Sequence, residues 1–133
     1  MKLVRSTLAI GVALILGTST AMAACDVVFA DNVQSLFTKK CVACHNDRSP
    51  GSGLSVQKDS SIANLVNVPS TELPAMMRVV PGDSANSYLA HKLLDTHLDV
   101  GGSGKKMPLS GRLKEEEIAA IISWIDDCNA AAE

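Results

Sequence analysis

The five residues Cys41-Val42-Ala43-Cys44-His45 constrain this chain more tightly than any other stretch. Two cysteines three positions apart with a histidine directly behind can open a zinc site, a thioredoxin-like redox centre or a haem attachment site. Structural zinc takes four Cys or His ligands, commonly delivered as two spaced pairs. No second pair follows here: His91 and His97 stand alone, and Cys25 and Cys128 lie far apart in the chain. A thioredoxin-like centre needs its cysteines at the head of a helix inside a βαβ pattern, and no stretch alternates as a strand would. Covalent haem attachment remains. Cysteines one helical turn apart can each form a thioether with one of two neighbouring vinyl groups, and the histidine behind them is then aimed under the iron. One covalently bound haem c is therefore the expected cofactor, with Cys41 and Cys44 as attachment residues and His45 as an axial ligand.

The opening segment agrees with that chemistry. "MKLVRSTLAIGVALILGTSTAMA" carries Lys2 and Arg5, an apolar run from Leu8 to Leu16, and Ala21-Met22-Ala23 at its end. A basic start, a short apolar middle and an A-x-A end describe a secretory signal peptide. The expected organisation is residues 1–23 as signal peptide and 24–133 as one domain, in the periplasm or an equivalent oxidising space. The apolar run is short for a bilayer and no later segment approaches it, so no membrane span is expected. Cys25 close to the cleavage point leaves a lipid anchor as a second reading, although Met22-Ala23-Ala24 lacks the usual leucine three positions ahead. The formal net charge is −2 and becomes more negative once Lys2 and Arg5 leave with the leader, which argues against a nucleic-acid partner. It suits, weakly, a redox partner protein of positive charge.

Aromatic side chains usually supply much of a small core, yet Phe29, Phe37, Tyr88 and Trp124 are the only Phe, Tyr or Trp residues in the sequence. Their scarcity fits a core holding a large, flat group that is not an amino acid, and equally a plain helical domain. Periodicity predicts helices from Asp31 to Lys40, from Ser60 to Val66, and from Asp83 or Ser84 to about Leu98. The last predicted helix is the best signalled: Glu115, Glu116 and Glu117 open it, and Ile118, Ile121, Ile122 and Ile125 form one apolar stripe. The predicted fold class is all-α. A haem iron held by histidine wants a sixth ligand, commonly a methionine sulfur in electron carriers. Met107, beside Pro108 in a glycine-bracketed loop ahead of the last helix, is the favoured candidate. His91 or His97 would instead give two histidine ligands. Met76 and Met77 are expected to line the pocket as apolar packing.

The order "LFTKKCVACH", "GSGLSV", "VVPGDSANSYL" and "KKMPLSGRLKEEEIAAIISWI" resembles a monohaem c-type cytochrome, and more narrowly the planctomycete-type cytochrome c domain. The likeness runs from Phe37 to Ile125, with Lys105 and Lys106 where relatives often carry Arg before the methionine. It implies a cytochrome c fold of three to five helices around one haem, with His45 and Met107 as the axial iron ligands. It also implies that Leu36 and Phe37 pack near Ile121 and Trp124, and that crossed first and last helices bring Cys25 and Cys128 within reach of a disulfide. The implied function is one-electron transfer without enzymatic activity, by a monomer that forms transient complexes with redox partner proteins. Two alternatives stand beside it. One is a catalytic or sensor protein whose labile methionine lets peroxide, nitric oxide or a sulfur substrate reach the iron. The other is a small electron-transfer subunit of a larger oxidoreductase.

Overall fold

The computed structural model describes Cys25, Phe29 and residues 32–128; the expected signal peptide and its cleavage point lie outside the described residues. Four helices follow in order: α1 (Val33–Lys40), α2 (Ser61–Leu65), α3 (Tyr88–Leu94) and α4 (Glu115–Asp127). Short 3-10 turns occupy Gly51–Gly53 and Ser84–Asn86. Among the described residues no strand forms, only isolated bridges such as Val66 with Val79, so the all-α class holds.

The two best-signalled segments make the scaffold. In α4 the Lys114 backbone N–H donates to Glu117 Oε2 at 2.8 Å, and three glutamates fill the first turn. Negative charge there meets the positive end of the helix dipole, a gain of about 0.3–1 kcal/mol per favourable group. Of the apolar stripe Ile121 and Ile125 are buried, together with Trp124, where α4 packs on α1 and α3, while Ile118 and Ile122 are only partly buried. Phe37 of α1 meets Trp124 edge-on with ring centroids 6.3 Å apart, and Phe29 closes the cluster at 5.6 Å from Phe37 and 5.0 Å from Trp124. Three of the chain's four aromatic rings thus sit where α1 and α4 meet. Cys25 and Cys128 form a disulfide beside that cluster, with both residues fully buried and their Cα atoms 4.4 Å apart. The bond uses the thiol that lipidation of Cys25 would require. Trp124 Nε1 donates to the Cys25 carbonyl at 3.1 Å, tying the helix to the same end of the chain.

The third predicted helix is shorter than its periodicity suggests, for local reasons at both ends. Asp83 caps only the 3-10 turn, accepting from the Asn86 N–H, before Ser87 turns extended with ψ 119 and breaks the run. The buried Ser87 hydroxyl accepts from the Val80 N–H at 2.8 Å and donates to the Asp83 carbonyl at 2.7 Å, which holds the break in place. At the other end Asp95 adopts the left-handed conformation (φ 67), so α3 stops at Leu94. Aspartate tolerates that region better than most residues. The stop carries His97 off the helix and into the interior, where it is 1% exposed.

Candidate functional site

The Cys-x-x-Cys-His segment continues directly from α1 as a further turn. The Cys41 and Val42 N–H groups donate to the Phe37 carbonyl at 2.9 and 3.0 Å, and the Cys44 and His45 N–H groups to the Cys41 carbonyl at 3.0 and 2.9 Å. That turn holds the two thiols one helical step apart with both free, Cys41 half-buried and Cys44 exposed. Burial, and then the neighbouring Cys44, push the Cys41 thiol up to about 11. His45 Nδ1 donates to the Gly51 carbonyl at 2.9 Å. With the proton on Nδ1, the Nε2 lone pair is left to bind a metal.

Gly51 is required by close approach. A Cβ there would lie 2.9 Å from the Cys44 carbonyl oxygen and 3.2 Å from two atoms of the His45 ring. Gly51→Ala is therefore expected to tilt the imidazole and to cost about 1–3 kcal/mol, the usual penalty of overpacking. Thermal unfolding of the haem-loaded protein, compared with wild type, measures it. An unchanged midpoint and visible spectrum would contradict the close approach.

His45 and Cys41 open onto a cleft enclosing about 750 Å³, partly continuous with solvent. Its walls are largely apolar: Phe37, Leu54, Val56, Leu65, Leu89 and Leu93. Met107 and Pro108 line the same cleft, although Met107 is far from His45 in sequence. The structure thus brings Cys41, His45 and Met107 to one cavity, with Cys44 on the exposed turn outside its lining. The donor set is a pair of free thiols, an imidazole with a defined tautomer and a thioether sulfur, around apolar walls. That set fits a flat apolar ring bearing a metal.

The polar part of the wall has no counterpart in the sequence reading. Arg78 lines the cleft while 8% exposed and donates to the Asn64, Gly53 and Ser52 carbonyls at 2.8, 3.2 and 3.4 Å. It has no carboxylate partner among the described residues, and burial pulls its guanidinium down from the usual value. An unpaired cation on the wall suits a ligand that carries acidic groups. Opposite in character is a paired cluster. Lys92 Nζ donates to Glu72 Oε2 at 2.8 Å, and the Tyr88 hydroxyl donates to the same oxygen at 2.9 Å. Burial pushes the Glu72 carboxyl up, but hydrogen bonds from Lys92 and Tyr88 and the Lys92 charge outweigh it and hold the group below its ordinary value. For Tyr88, burial and the Glu72 charge raise the phenol, although the Ser103 N–H acts against them.

A carboxyl held low in the fold contributes stability that is present above its unfolded value of about 4.3 and lost as the pH falls below that value through the folded one. Glu72→Gln removes this linkage. Its unfolding free energy is expected to decline less steeply between about pH 5 and pH 2 than that of wild type. Denaturant titrations at several pH values test this, and parallel declines would refute it.

The remaining candidates fall away from the cleft. His91 Nδ1 is bonded to Thr96 Oγ1 at 2.8 Å and Nε2 donates to the Ala85 carbonyl at 3.0 Å, so both ring nitrogens are engaged. His97 bonds the Gly104 carbonyl through Nε2 at 3.2 Å, and neither histidine lines the cleft. Met76 and Met77 also lie outside its lining, contrary to expectation. Their segment turns back along Pro69 in a bridge that leaves Met77 37% exposed. One signal for the missed cluster was legible. Lys92 falls four residues after Tyr88 and three after Leu89, on the face that α3 buries, where an unpaired ammonium is costly. Its partner Glu72, from a proline-bounded loop, carries no such periodic mark.

Helices packed together beside a Cys-x-x-Cys-His turn, with a histidine and a methionine sharing an apolar cleft, define a c-type haem protein by class. The sequence model of the family described as cytochrome c matches residues 30–128, and the chain belongs to that family. Membership implies a covalently bound haem c, haem-based electron transfer and redox partners. No curated protein and no solved structure matches the chain. Among the described residues no helix is long and apolar enough to cross a membrane.

Proposed function

We propose that this chain is a periplasmic one-electron carrier that holds a single haem through Cys41 and Cys44 and ligates its iron with His45 and Met107. The observation that carries the reading is that His45 and Met107 line one apolar cleft together with Cys41. When bound, the haem supplies a one-electron couple whose potential a methionine ligand raises. The protein's own groups do the rest. Gly51 holds the His45 ring through its carbonyl, the leucine-rich walls keep water from the ring faces, and Arg78 brings positive charge to the wall. One Cys-x-x-Cys-His in the sequence supports one haem, and the leader-like segment supports export.

A carrier is favoured over a catalyst because His45 and Met107, which line one cleft, would both ligate a bound haem iron. A catalytic site would want an acid or base over the iron, and His91 and His97 lie away from the cleft. The narrower likeness to planctomycete-type domains is supported by the work of its motif residues. Within "VVPGDSANSYL" the Gly82 N–H donates to the Ile125 carbonyl of α4 at 2.8 Å. Asp83 caps the following turn, and Ser87 holds the break before α3. We place the protein as a monomer that meets its redox partners transiently.

Visible spectra of oxidised and reduced protein, expressed with the export and haem-attachment machinery, test the reading. The expected result is covalently retained haem with a far-red sulfur-to-iron band in the oxidised form. Protein that folds and exports without covalent haem would sink the whole proposal. Rapid carbon monoxide binding by the reduced form would favour the catalytic alternative.

A further inference from the structure

The segment that delivers Met107 has almost nothing of its own to seat it. Residues 101–106 read Gly-Gly-Ser-Gly-Lys-Lys, without one apolar side chain, and Lys105 and Lys106 are both exposed. Hydrophobic burial therefore cannot fix this loop, and its position comes from a few polar anchors. All of them belong to α3 or the turn behind it. The Gly102 N–H donates to the His97 carbonyl at 2.8 Å, and His97 Nε2 bonds the Gly104 carbonyl at 3.2 Å. The Ser103 N–H donates to the Tyr88 hydroxyl at 3.3 Å. Lys92 supplies an anchor at each end: Nζ donates to the Ser103 carbonyl at 3.0 Å, and its own carbonyl accepts the Met107 N–H at 3.0 Å.

We infer that Lys92, gripped by Glu72 and Tyr88, is the positioning residue that holds the Met107 loop over the cleft and sets how firmly the sulfur stays on the iron. This rests on Met107 as the axial ligand. A lysine that is 6% exposed is an expensive way to fill space on a helix face, and an apolar residue would pack there without needing a carboxylate. A buried ion pair is retained where it fixes one arrangement against others. Here the arrangement is specific. The ammonium is aimed by Glu72 Oε2 at 2.8 Å and stands 5.9 Å from the Tyr88 ring centroid, which leaves a donor for Ser103. The loop is drawn so close that a side chain on either of two glycines would press on this cluster. A Cβ on Gly104 would lie 2.9 Å from Glu72 Oε1 and 3.4 Å from Lys92 Nζ, and one on Gly102 would collide with the Tyr88 hydroxyl.

The test measures how readily an outside ligand displaces the sulfur. Imidazole is titrated into the oxidised, haem-loaded protein at fixed neutral pH while the far-red sulfur-to-iron band is followed. Lys92→Met keeps an unbranched side chain and removes the ammonium; Glu72→Gln/Lys92→Met removes both charges, so that no carboxylate is stranded. Either is expected to raise imidazole affinity about tenfold or more, the weight of one charge-assisted hydrogen bond, and to weaken the band. Gly104→Ala perturbs the same contact from the loop side, with the ion pair intact and φ +75 unfavourable for alanine. It should move imidazole affinity in the same direction. Val33→Ala, in the core but outside the cleft lining, should lower the thermal midpoint without moving affinity or band. Imidazole affinity and band that match wild type in the Lys92 variants, or in Gly104→Ala if those fail to fold, overturn the inference while leaving the ligand reading intact. A wild-type protein without the band removes the ligand reading and the inference with it.

Discussion

Met107→Ala is expected to abolish the far-red sulfur-to-iron band and to lower the reduction potential by an amount on the order of 0.1–0.2 V, a fraction of the roughly 0.8 V that axial ligands span. The cause is electronic. A thioether stabilises the reduced iron relative to water or a stronger donor, so its removal favours the oxidised form. Covalent haem should survive, because Cys41, Cys44 and His45 belong to a turn that follows α1 and owes nothing to the Met107 loop. The reduced variant should also bind carbon monoxide rapidly, since alanine leaves the sixth position open. Stability should fall as well, by about 2 kcal/mol at the low end for methionine-to-alanine changes, because Met107 is only half-buried. Electrochemical titration beside the spectrum decides the matter. A variant with the wild-type potential and band would show that another residue ligates the iron.

Removing the disulfide should produce the largest loss of stability. Cys25 and Cys128 are separated by 103 positions, so reopening their loop restores a great deal of freedom to the unfolded chain. The chain-entropy account puts that at about 4.7 kcal/mol, near the top of an observed range of about 0–5. The double variant Cys25→Ser/Cys128→Ser should therefore unfold at a much lower denaturant concentration, and its thermal midpoint should fall by about 20 °C or more. Two hydroxyls would also replace sulfurs in a fully buried place beside Trp124, which adds to the loss. The spectrum of the folded variant should match wild type, because neither cysteine lines the cleft. A thiol count on unfolded, unreduced protein gives an independent check: two free thiols would rule the bridge out.

The turn at residues 41–45 and helix α4 were both legible in the sequence, and for the same reason. Each is governed by interactions between residues a few positions apart, which spacing displays directly. Helix α3 was legible only in part. Its apolar residues were visible, but the extended Ser87 and left-handed Asp95 that cut it short depend on bonds to Val80, Asp83 and His91. Periodicity carries no record of such bonds. Met76 and Met77 looked suited to an apolar pocket by composition, and the bridge between Pro69 and Met77 carries them away from it.

What the sequence determined alone is the chemistry on offer: paired thiols with a histidine behind them, a methionine in a glycine-rich loop, and a terminal helix with one apolar face. What only the tertiary structure decided is which groups meet. It brought Met107 to the cleft of His45, chose the Gly51 carbonyl as the partner of that histidine, and joined Glu72, Tyr88 and Lys92 beneath the Met107 loop. The physical reason is that each of the longer-range meetings joins side chains from segments without a common period. Their contact follows from how α1, α3 and α4 pack, and from the need of each buried polar group for a partner.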